Sequence, residues 1–323
     1  MDKTKIQFNV YAALQKWAVL LVLVLSIIIF SSLSPYFLKI KNIYSIGLTV
    51  SVIGIVSIGQ TLCILIRGFD LSVGGVSVFC GMIVAFFTSK LGVPYVASIF
   101  IGLIVGAIIG FVNGILITKG KINPFITTLS TWFILDGAVF ILSKGYAIIV
   151  STKEFLFLGT HRVYGLPLPI IILIVLYVIF EFMLRNTVFG RKIYLTGGNP
   201  EAAKIAGLEV DKLTVKVYML SSTLAAFGGV ILTSRMGAAQ LTSGTSYPLG
   251  SIAAVVLGGT ALTGGEGKLT GTIIGVLIIG VLTNGLIMLG IQQAYRDIAT
   301  GLVLILAVLF QNLKQSAKST AKS

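Results

Sequence analysis

The sequence predicts an all-α polytopic membrane protein with about ten transmembrane helices, and three observations support this fold class. Hydrophobic residues make up 56% of the 323 residues and charged residues only 11%, whereas about 25% of an average soluble domain is charged. The apolar residues lie in blocks near the length of about 20 residues that a helix needs to cross a bilayer. The chain also contains 37 glycines, and small residues let membrane helices pack closely. We interpret residues 1–323 as a single transmembrane domain.

Ten apolar blocks are the predicted spans. In chain order they cover residues 17–33, 44–66, 71–90, 94–117, 125–142, 168–184, 213–235, 247–265, 269–290 and 295–311. The eighth block is rich in glycine and threonine, so we expect either a full crossing or a broken, re-entrant helix buried among the others. The two longest connections are residues 143–167 and 185–212.

Basic residues predict the orientation. An even number of spans places both termini on one side of the membrane. With the termini in the cytoplasm, sixteen of the 24 lysines and arginines lie in cytoplasmic segments and eight in external segments, which is the usual bias. We therefore expect cytoplasmic termini and a cytoplasmic loop 185–212. Because the charges behind the net charge of +14 flank the spans, they indicate a lipid environment rather than a nucleic-acid partner.

Two of the predicted spans share a glycine pattern. Each has three glycines about four residues apart and then an Asn-Gly pair, and the residues are Gly102, Gly106, Gly110, Asn113 and Gly114 in span four and Gly271, Gly275, Gly280, Asn284 and Gly285 in span nine. Two single-residue insertions are needed to align them. If the pattern is a repeat, the chain consists of two five-helix halves, and the odd number of spans makes the second half inverted, as in many transporters. A chance likeness between glycine-rich helices is the alternative interpretation.

Few residues are suited to catalysis or to metal binding. The chain has one histidine, His161, and its two cysteines, Cys63 and Cys80, fall within apolar spans, where they serve as small hydrophobic residues. The phosphate-binding pattern G-x-x-x-x-G-K-[ST] is absent, because Leu269 follows Lys268 where a hydroxyl is required. We therefore expect no catalytic residue, no metal site and no cofactor, in a protein that does not itself hydrolyse ATP.

The loop 185–212 contains the signals of one short helix. Asn199 is a good N-cap, and Pro200 suits the first helical position. Glu201 places a negative charge at the positive end of the helix dipole, and Gly207 is a natural stop after the two alanines and the residues that follow them. An isolated helix of fewer than roughly 12 residues is marginal in water. We therefore expect this helix either to dock on a partner or to pack on its own membrane domain.

The same loop carries a family resemblance. Glu201, Ala202, Ala203 and Gly207 form the pattern E-A-A-x-x-x-G, which resembles the coupling-loop motif of ABC importer permeases. Further segments extend the resemblance, and they are residues 68–74 (GFDLSVG), 197–199 (GGN), 253–260 (AAVVLGGT) and 264–265 (GG). Together these motifs, spread over nearly the whole chain, resemble the ribose/xylose/arabinose/galactose class of sugar permeases.

The resemblance implies an importer subunit in the bacterial cytoplasmic membrane that moves a monosaccharide by alternating access. It implies a separate ATPase subunit with a groove for the short helix, so the ATPase-coupling residues are Asn199, Pro200, Glu201, Ala202, Ala203 and Gly207. It also implies a periplasmic or lipid-anchored sugar-binding protein that delivers the sugar. Two permease chains, identical or related, would form the central path.

Polar residues within the spans are candidates for the translocation path. They are Asp70, Ser72, Asn113 and Asn284. Asp70 follows Arg67 by three residues, so on a helix the two would share a face and could form an ion pair. Alternatively, Asp70 faces the path, because charges at this depth usually face protein or water. The two asparagines would bind either the sugar or neighbouring helices.

Three other functions are consistent with parts of this pattern. Branched-chain amino-acid permeases share the fold plan, but the glycine-rich motifs favour the sugar class. A secondary transporter would also show inverted repeats, but it needs ligands for a coupling ion and leaves the capped helix unexplained. An intramembrane enzyme lacks a set of catalytic groups.

Overall fold

A computed structural model describes residues 19–320 of the chain, with side chains described for residues 19–309. Residues 17–18 of the first predicted span lie outside the described residues. So do both chain ends, on which the predicted cytoplasmic location of the termini depends.

The described chain is largely helical. Its thirteen helices between residues 19 and 320 are α1 (Val19–Leu33), α2 (Ile40–Leu65), α3 (Val73–Ser89), α4 (Tyr95–Thr118), α5 (Pro124–Ser143), α6 (Lys153–Thr160), α7 (Leu168–Asn186), α8 (Val188–Gly198), α9 (Pro200–Ile205), α10 (Val210–Met236), α11 (Tyr247–Leu257), α12 (Leu269–Met288) and α13 (Gln293–Thr320). The strands are only two residues long, and they are β1 (Ile148–Ile149), β2 (Arg162–Val163), β3 (Leu166–Pro167) and β4 (Ala238–Ala239).

Six of the described helices are long and apolar enough to cross a membrane, and they are α2, α4, α5, α7, α10 and α12. Three shorter apolar helices, α1, α3 and α11, coincide with predicted spans one, three and eight. The tenth predicted span falls within α13. The protein is thus a helical membrane protein, while the count of ten spans stays a prediction, because length and composition identify six within residues 19–320.

Helices α2 and α10 form the centre of the bundle. Within the most apolar stretch of each helix, 89% of the residues are buried in α2 and 61% in α10, compared with 22% in α5 and α7. Helix α2 packs against α7, α10, α11 and α12, and α10 packs against α2, α3 and α4. The main hydrophobic core therefore lies along the line where α2 and α10 meet, with residues such as Leu62 and Tyr218 fully buried in it.

Glycines bring α4 and α12 close to their neighbours. The buried residues of α4 are Ser98, Gly102, Gly106, Gly110, Asn113 and Gly114, so one narrow stripe faces the protein. A Cβ on Gly106 would lie 2.6 Å from the Cβ of Ala226 in α10. A Cβ on Gly275 in α12 would overlap the carbonyl of Ala254 in α11. Both glycine stripes are therefore required for backbone contact between helices.

The eighth predicted span is a broken helix. It is helical only over Tyr247–Leu257, 11 residues, which at 1.5 Å per residue is about 16 Å and short of a hydrocarbon core of about 30 Å. The chain then turns through Gly259, Gly264 and Gly265, which all have positive φ. Residues 250–256 of the helix are buried among its neighbours, whereas Gly259 and Thr263 in the turn that follows are exposed.

The connection 143–167, for which the sequence predicts no helix or strand, contains regular secondary structure. It contains α6, and β1 pairs antiparallel with β4, with Ile148 opposite Ala239. The Ser234 hydroxyl accepts a hydrogen bond from the Gly159 amide (2.7 Å) and donates to the Phe155 carbonyl (2.6 Å). These contacts hold α6 against the end of α10. We call this end of the bundle the cavity end, after a cavity that Arg235 and Met236 of α10 line there. The opposite end, which carries α8 and α9, is the α9 end.

Candidate functional site

The short helix α9 has the local structure that the sequence predicts. It covers Pro200–Ile205, six residues, and its N-cap is Asn199, whose Oδ1 accepts hydrogen bonds from the amides of Glu201 (3.1 Å) and Ala202 (3.0 Å). The helix stops where Gly207 takes a φ of +82°, and the Leu208 amide bonds back to the Ala203 carbonyl (3.0 Å). The Asn199 side chain therefore caps the start of α9, and the left-handed Gly207 ends the helix.

Most of the α9 surface is exposed. Among its six residues only Ala203 is buried, and Ile205 is 88% exposed. The neighbouring charges make ion pairs at the surface, between Lys204 and Asp211 (3.9 Å) and between Lys212 and Glu209 (2.5 Å). The hydrogen bond from Lys212 holds the pKa of the Glu209 carboxyl below its ordinary value. The alternative interpretation, a helix packed on its own membrane domain, is therefore supported by the buried Ala203 and by the exposed ion pair between Lys204 and Asp211 of α10.

Three distant segments meet directly beside α9. Arg67 donates from Nε to the Gly197 carbonyl (2.6 Å) and from Nη2 to the Gly198 carbonyl (2.5 Å). The Gly265 amide donates to the Leu65 carbonyl (2.9 Å). Residues 65–68, 197–199 and 264–265 thus form one contact region, which we call the glycine junction. The junction joins the end of α2, the end of α8 and the loop after α11.

Only glycine fits at several positions of the glycine junction. A Cβ on Gly197 would overlap the Leu65 carbonyl, and a Cβ on Gly265 would lie 2.7 Å from the Cα of Gly198. Gly264 and Gly265 also have φ values of +79° and +72°, which residues with a Cβ rarely adopt. Parts of three motifs that carry the family resemblance, 68–74, 197–199 and 264–265, therefore lie at a single place.

Asp70 lies just beyond the glycine junction, between α2 and α3. It is fully buried, and its Oδ1 accepts from the Ser72 amide (3.0 Å) and hydroxyl (2.5 Å), while Oδ2 accepts from the Ser221 hydroxyl (2.8 Å). Asn113 donates to the Ser72 hydroxyl (3.1 Å) and accepts from Thr131 (2.6 Å). We call these five residues the Asp70 network, and they come from or adjoin α3, α4, α5 and α10.

The expected ion pair between Arg67 and Asp70 is not present, so that alternative was wrong. Helix α2 ends at Leu65, and Arg67 has a φ of +64°. The pairing rule for residues three apart applies only within a helix. The left-handed turn sends the Arg67 side chain to the α8 carbonyls, whereas Asp70 turns inward to hydroxyl donors.

The fourth path candidate, Asn284 in α12, lies outside the Asp70 network. It is 5% exposed, and its Oδ1 has no hydrogen-bond partner in the described structure. Gln60, which was not among the predicted path residues, is fully buried in α2, and neither of its side-chain polar atoms is bonded among the described residues. The sequence feature that could have indicated Gln60 is an amide side chain within the apolar block 44–66. An unbonded buried amide is unfavourable, so both residues are candidates for contact with a further polar group.

A cavity of about 400 Å³ lies at the cavity end. Five helices contribute to its wall, α2, α10, α11, α12 and α13, and its polar lining includes Arg235, Gln240, Tyr247, Gln293, Arg296 and Asp297. Gln293 donates to Asp297 (2.8 Å) and accepts from Arg296, whose Nε has no partner. Arg296 and Asp297 stand out in the sequence as charged residues that open the tenth predicted span, but their role stays open there. The chain positions of the five helices do not indicate that they meet. A volume of this size and a few convergent polar groups are typical of small-molecule sites.

Metal binding has no candidate in the described part of the chain. Residues 19–320 contain no group of three or more His, Cys, Asp or Glu side chains that could hold an ion.

Comparisons with known proteins agree over most of the chain. The family model described as branched-chain amino acid transport system / permease component matches residues 42–308. The ribose import permease protein of Bacillus subtilis (strain 168) is 41% identical over 322 residues, 98% of this chain and 98% of the relative. That of Haemophilus influenzae is 40% identical over 294 residues, 90% of this chain and 91% of the relative. The L-arabinose transport system permease protein of Escherichia coli (strain K12) is 37% identical over 290 residues, 88% of this chain and 87% of the relative. No solved structure gives a significant match.

These matches confirm the resemblance to monosaccharide permeases that the motifs indicated. They also identify a transport component rather than an enzyme. Because the family model covers most of the chain and the relatives align from end to end, the chain belongs to the family of ABC transport-system permease components.

Proposed function

We propose that this chain is the membrane-spanning subunit of an importer that carries ribose or a related monosaccharide across the bacterial cytoplasmic membrane. The observation that carries the proposal is the near full-length similarity to permeases named for ribose. A separate ATPase supplies the energy, and a periplasmic or lipid-anchored binding protein delivers the sugar. The arabinose permease among the relatives makes a pentose the first substrate class to test.

The ATPase docks on α9 through Asn199, Pro200, Glu201, Ala202, Ala203 and Gly207. Two features support this proposal. The helix is capped at both ends, so its shape does not depend on the partner. Its surface is nearly all exposed, including Ile205 at 88%, and an exposed isoleucine on a short helix suits an apolar groove on another subunit.

The ten spans form two inverted five-helix halves, α1–α5 and α7 with α10–α13. The packing supports this arrangement, because the fourth span of each half contacts the third span of its own half and the second span of the other. Helix α4 packs on α3 and α10, while α12 packs on α11 and α2. The two fourth spans also run in opposite directions through the bundle. Helix α4 ends beside Val215 at the start of α10, which is the α9 end, whereas α12 runs toward Val50 near the start of α2, which is the cavity end. The α9 end faces the cytoplasm, in agreement with the distribution of basic residues.

The sugar enters at the cavity end. Two arginines, a carboxylate, two amides and a tyrosine ring line the cavity of about 400 Å³, and such groups can bind the hydroxyls of a sugar. Asp70, Ser72, Asn113 and Asn284 border the path deeper in the protein, where three of them are tied into the Asp70 network. Opening of that network would connect the two ends. A second permease chain, identical or related, completes the path.

An amino-acid substrate is the second candidate. The description of the family model favours it, and the arginines and Asp297 of the cavity could bind the carboxylate and amine of a zwitterion. The sugar-named relatives favour the first candidate.

Transport by the assembled complex decides between them. The chain is co-expressed with the ATPase and the binding protein of its importer, reconstituted in vesicles, and tested for ATP-driven uptake of labelled ribose, xylose, arabinose, galactose and leucine. We expect uptake of a pentose and none of leucine, and leucine uptake alone would contradict the sugar assignment.

A cavity variant tests the entry site. Arg296→Gln removes the charge of a lining residue, and we expect a KM for uptake about tenfold higher with assembly intact, the usual effect of losing one charged hydrogen bond. The matched control is Gln292→Ala, an exposed neighbour outside the cavity lining. An unchanged KM in the Arg296 variant would remove the cavity from the path.

A further inference from the structure

Arg67 makes a two-pronged contact with the end of α8. Its Nε and Nη2 atoms donate to two consecutive carbonyls, those of Gly197 (2.6 Å) and Gly198 (2.5 Å). The last carbonyls of a helix lack partners within the helix and form the negative end of its dipole. A planar guanidinium presents donors on separate nitrogens in a rigid fork that suits two neighbouring carbonyls, whereas an ammonium group donates from a single nitrogen. Arg67 therefore closes the end of α8 as a cap supplied by another helix.

The capped carbonyls are next to the N-cap of α9. Gly198 precedes Asn199, and the Asn199 side chain holds the first two amides of α9 at 3.1 and 3.0 Å. Because α9 buries only Ala203, few side-chain contacts link its movement to the membrane helices. The backbone joins α9 to the membrane helices on two sides, through residues 206–209 into α10 and through residues 197–199 into α8. Arg67 binds the second of these connections from the end of α2.

On its other side, Arg67 leads into the Asp70 network. The Gly68 amide donates to the Cys63 carbonyl (2.8 Å), and the Phe69 carbonyl accepts from the Tyr218 hydroxyl (3.1 Å). The Leu71 amide donates to Thr128 in α5 (3.1 Å). Of the four residues between Arg67 and Ser72, Gly68 is thus fixed to α2, Phe69 to α10 and Leu71 to α5, and Asp70 belongs to the network itself.

The backbone of Arg67 is held in an unfavourable conformation. Its φ of +64° lies in the left-handed region, which residues with a Cβ avoid unless surrounding contacts hold them there. The guanidinium is exposed, so its bonds to the α8 carbonyls can be exchanged for water without burying a charge. If α9 moves and those bonds break, the turn is free to change direction, and the chain that leads to Asp70 changes direction with it.

We propose that Arg67 is the positioning residue that transmits movement of α9 to the Asp70 network. The proposal rests on the function proposed above, in which a partner ATPase moves α9. In this proposal α9 binds the ATPase, and the residue after α2 carries the movement of α9 into the membrane domain. Arg67 contacts neither sugar nor ATP in this role.

The test uses the complete complex of permease, ATPase and binding protein in vesicles, with labelled pentose. Its readout is the amount of sugar imported per ATP hydrolysed, which a purely structural defect does not change in the complexes that do assemble. Arg67→Ala removes both hydrogen bonds. We expect it to co-purify with the ATPase as the wild type does and to lower the ratio about tenfold, a size typical of coupling between sites.

Two further variants separate the side chain from the backbone turn. Arg67→Lys keeps the charge but offers one compact donor group, so we expect a ratio between those of the wild type and the alanine variant. Arg67→Gly relieves the left-handed turn and still lacks the two donors, so we expect the same loss as in Arg67→Ala. The control is Lys212→Ala, an exposed basic residue at the same end that only pairs with Glu209 (2.5 Å), with an expected wild-type ratio.

Each outcome is decisive. A wild-type ratio in Arg67→Ala overturns the proposal, and so does a loss of uptake that the loss of assembled complex fully explains. Normal coupling in Arg67→Gly would show that the left-handed turn matters and the side-chain contact does not, which also overturns it. A wild-type complex that imports neither a sugar nor an amino acid instead contradicts the proposed function.

Discussion

Helices α2 and α10 both end in a left-handed residue, but the chain beyond each is packed differently. Arg67 follows α2 with a φ of +64°, and Gly237 follows α10 with a φ of +67°. Beyond α2, backbone meets backbone at the glycine junction, where Gly197 leaves no room for a methyl group. Beyond α10 lies the cavity of about 400 Å³, lined by the long side chains of Arg235, Gln240 and other residues.

The difference has a mechanical consequence. Backbone contacts through glycine cannot be relieved by rotating a side chain, so the segments of the glycine junction move together or separate altogether. A cavity bounded by arginine, glutamine and tyrosine side chains changes shape through their rotamers. The α9 end is therefore suited to transmitting a movement and the cavity end to fitting a ligand.

The largest effect is expected at the glycine junction. Gly197→Ala places a Cβ against the Leu65 carbonyl and 2.5 Å from the Gly265 amide nitrogen. Because backbone rather than a flexible side chain must move, we expect a loss of about 3 kcal/mol or more in unfolding free energy, at the upper end for overpacking. Thermal unfolding of the purified protein measures it. The matched control is Gly198→Ala, whose Cβ meets nothing within 4 Å, with a change within about 0.5 kcal/mol. Equal stability of the two variants would mean that the glycine junction is loosely packed.

The next largest effect is a loss of coupling without a loss of folding. Glu201→Lys and Gly207→Val should both insert normally, while ATPase co-purification and sugar uptake fall together. Losing the favourable charge at the helix start costs only about 0.3–1 kcal/mol. A valine at a φ of +82° adds a backbone cost of about 1–2 kcal/mol and redirects the chain toward α10.

A matched glycine at the other end isolates the role of α9. Gly290 has a φ of +75° and, like Gly207, has open space where a Cβ would be. Gly290→Val therefore carries the same backbone cost, and we expect the same change in thermal stability with ATPase binding retained. Loss of ATPase binding in both valine variants would attribute the effect to general destabilisation. Retention of binding and uptake in Glu201→Lys and Gly207→Val would mean that α9 is ordinary surface.

A smaller effect is expected at the Asp70 network. Asp70→Asn keeps the shape of the side chain but replaces one acceptor oxygen by an NH₂ group. If the amide oxygen stays toward Ser72, the Ser221 hydroxyl must turn from donor to acceptor. Hydrogen bonds to a carboxylate are also stronger than those to a neutral amide, by about 1 kcal/mol each. We expect uptake per permease molecule to fall more than the amount of permease in the membrane. Normal uptake per molecule would limit Asp70 to a structural role at the end of α2.

The smallest effect concerns which end faces the cytoplasm. Single cysteines replace Lys204 at the α9 end and Lys153 in α6 at the cavity end, in a chain that lacks Cys63 and Cys80. Both native cysteines are buried and unpaired, so their removal should leave transport nearly unchanged. An impermeant thiol reagent should label position 153 from outside and position 204 only after permeabilisation. Labelling of both from outside would contradict the proposed orientation.

Local signals were sufficient for α9, because capping depends on neighbours in sequence. An asparagine before a proline, an acidic residue in the first turn and a glycine at the end each act within a few residues. The structure places the helix at Pro200–Ile205 as predicted. The broken eighth span was also among the expectations, since runs of glycine weaken a helix.

Spacing failed where a helix ended earlier than the pattern suggested. The i, i+3 rule paired Arg67 with Asp70, but α2 ends at Leu65, and a left-handed residue separates the two side chains. Helix α6 was missed because its eight residues are held by contacts with α10, such as that between Gly159 and Ser234. Residues adjacent in sequence indicate neither the early end of α2 nor the contact between α6 and α10.

The sequence by itself determined the membrane environment, the six long apolar spans and the short helix, because apolar length and capping are properties of contiguous residues. It also contained the glycine motifs, but as separate segments at residues 68–74, 197–199 and 264–265. Only the tertiary structure decided that these motifs meet, that Arg67 caps α8, and that five helices enclose a polar cavity. The physical reason is that packing between helices joins residues more than a hundred positions apart, and chain position carries no record of which glycine will face which carbonyl.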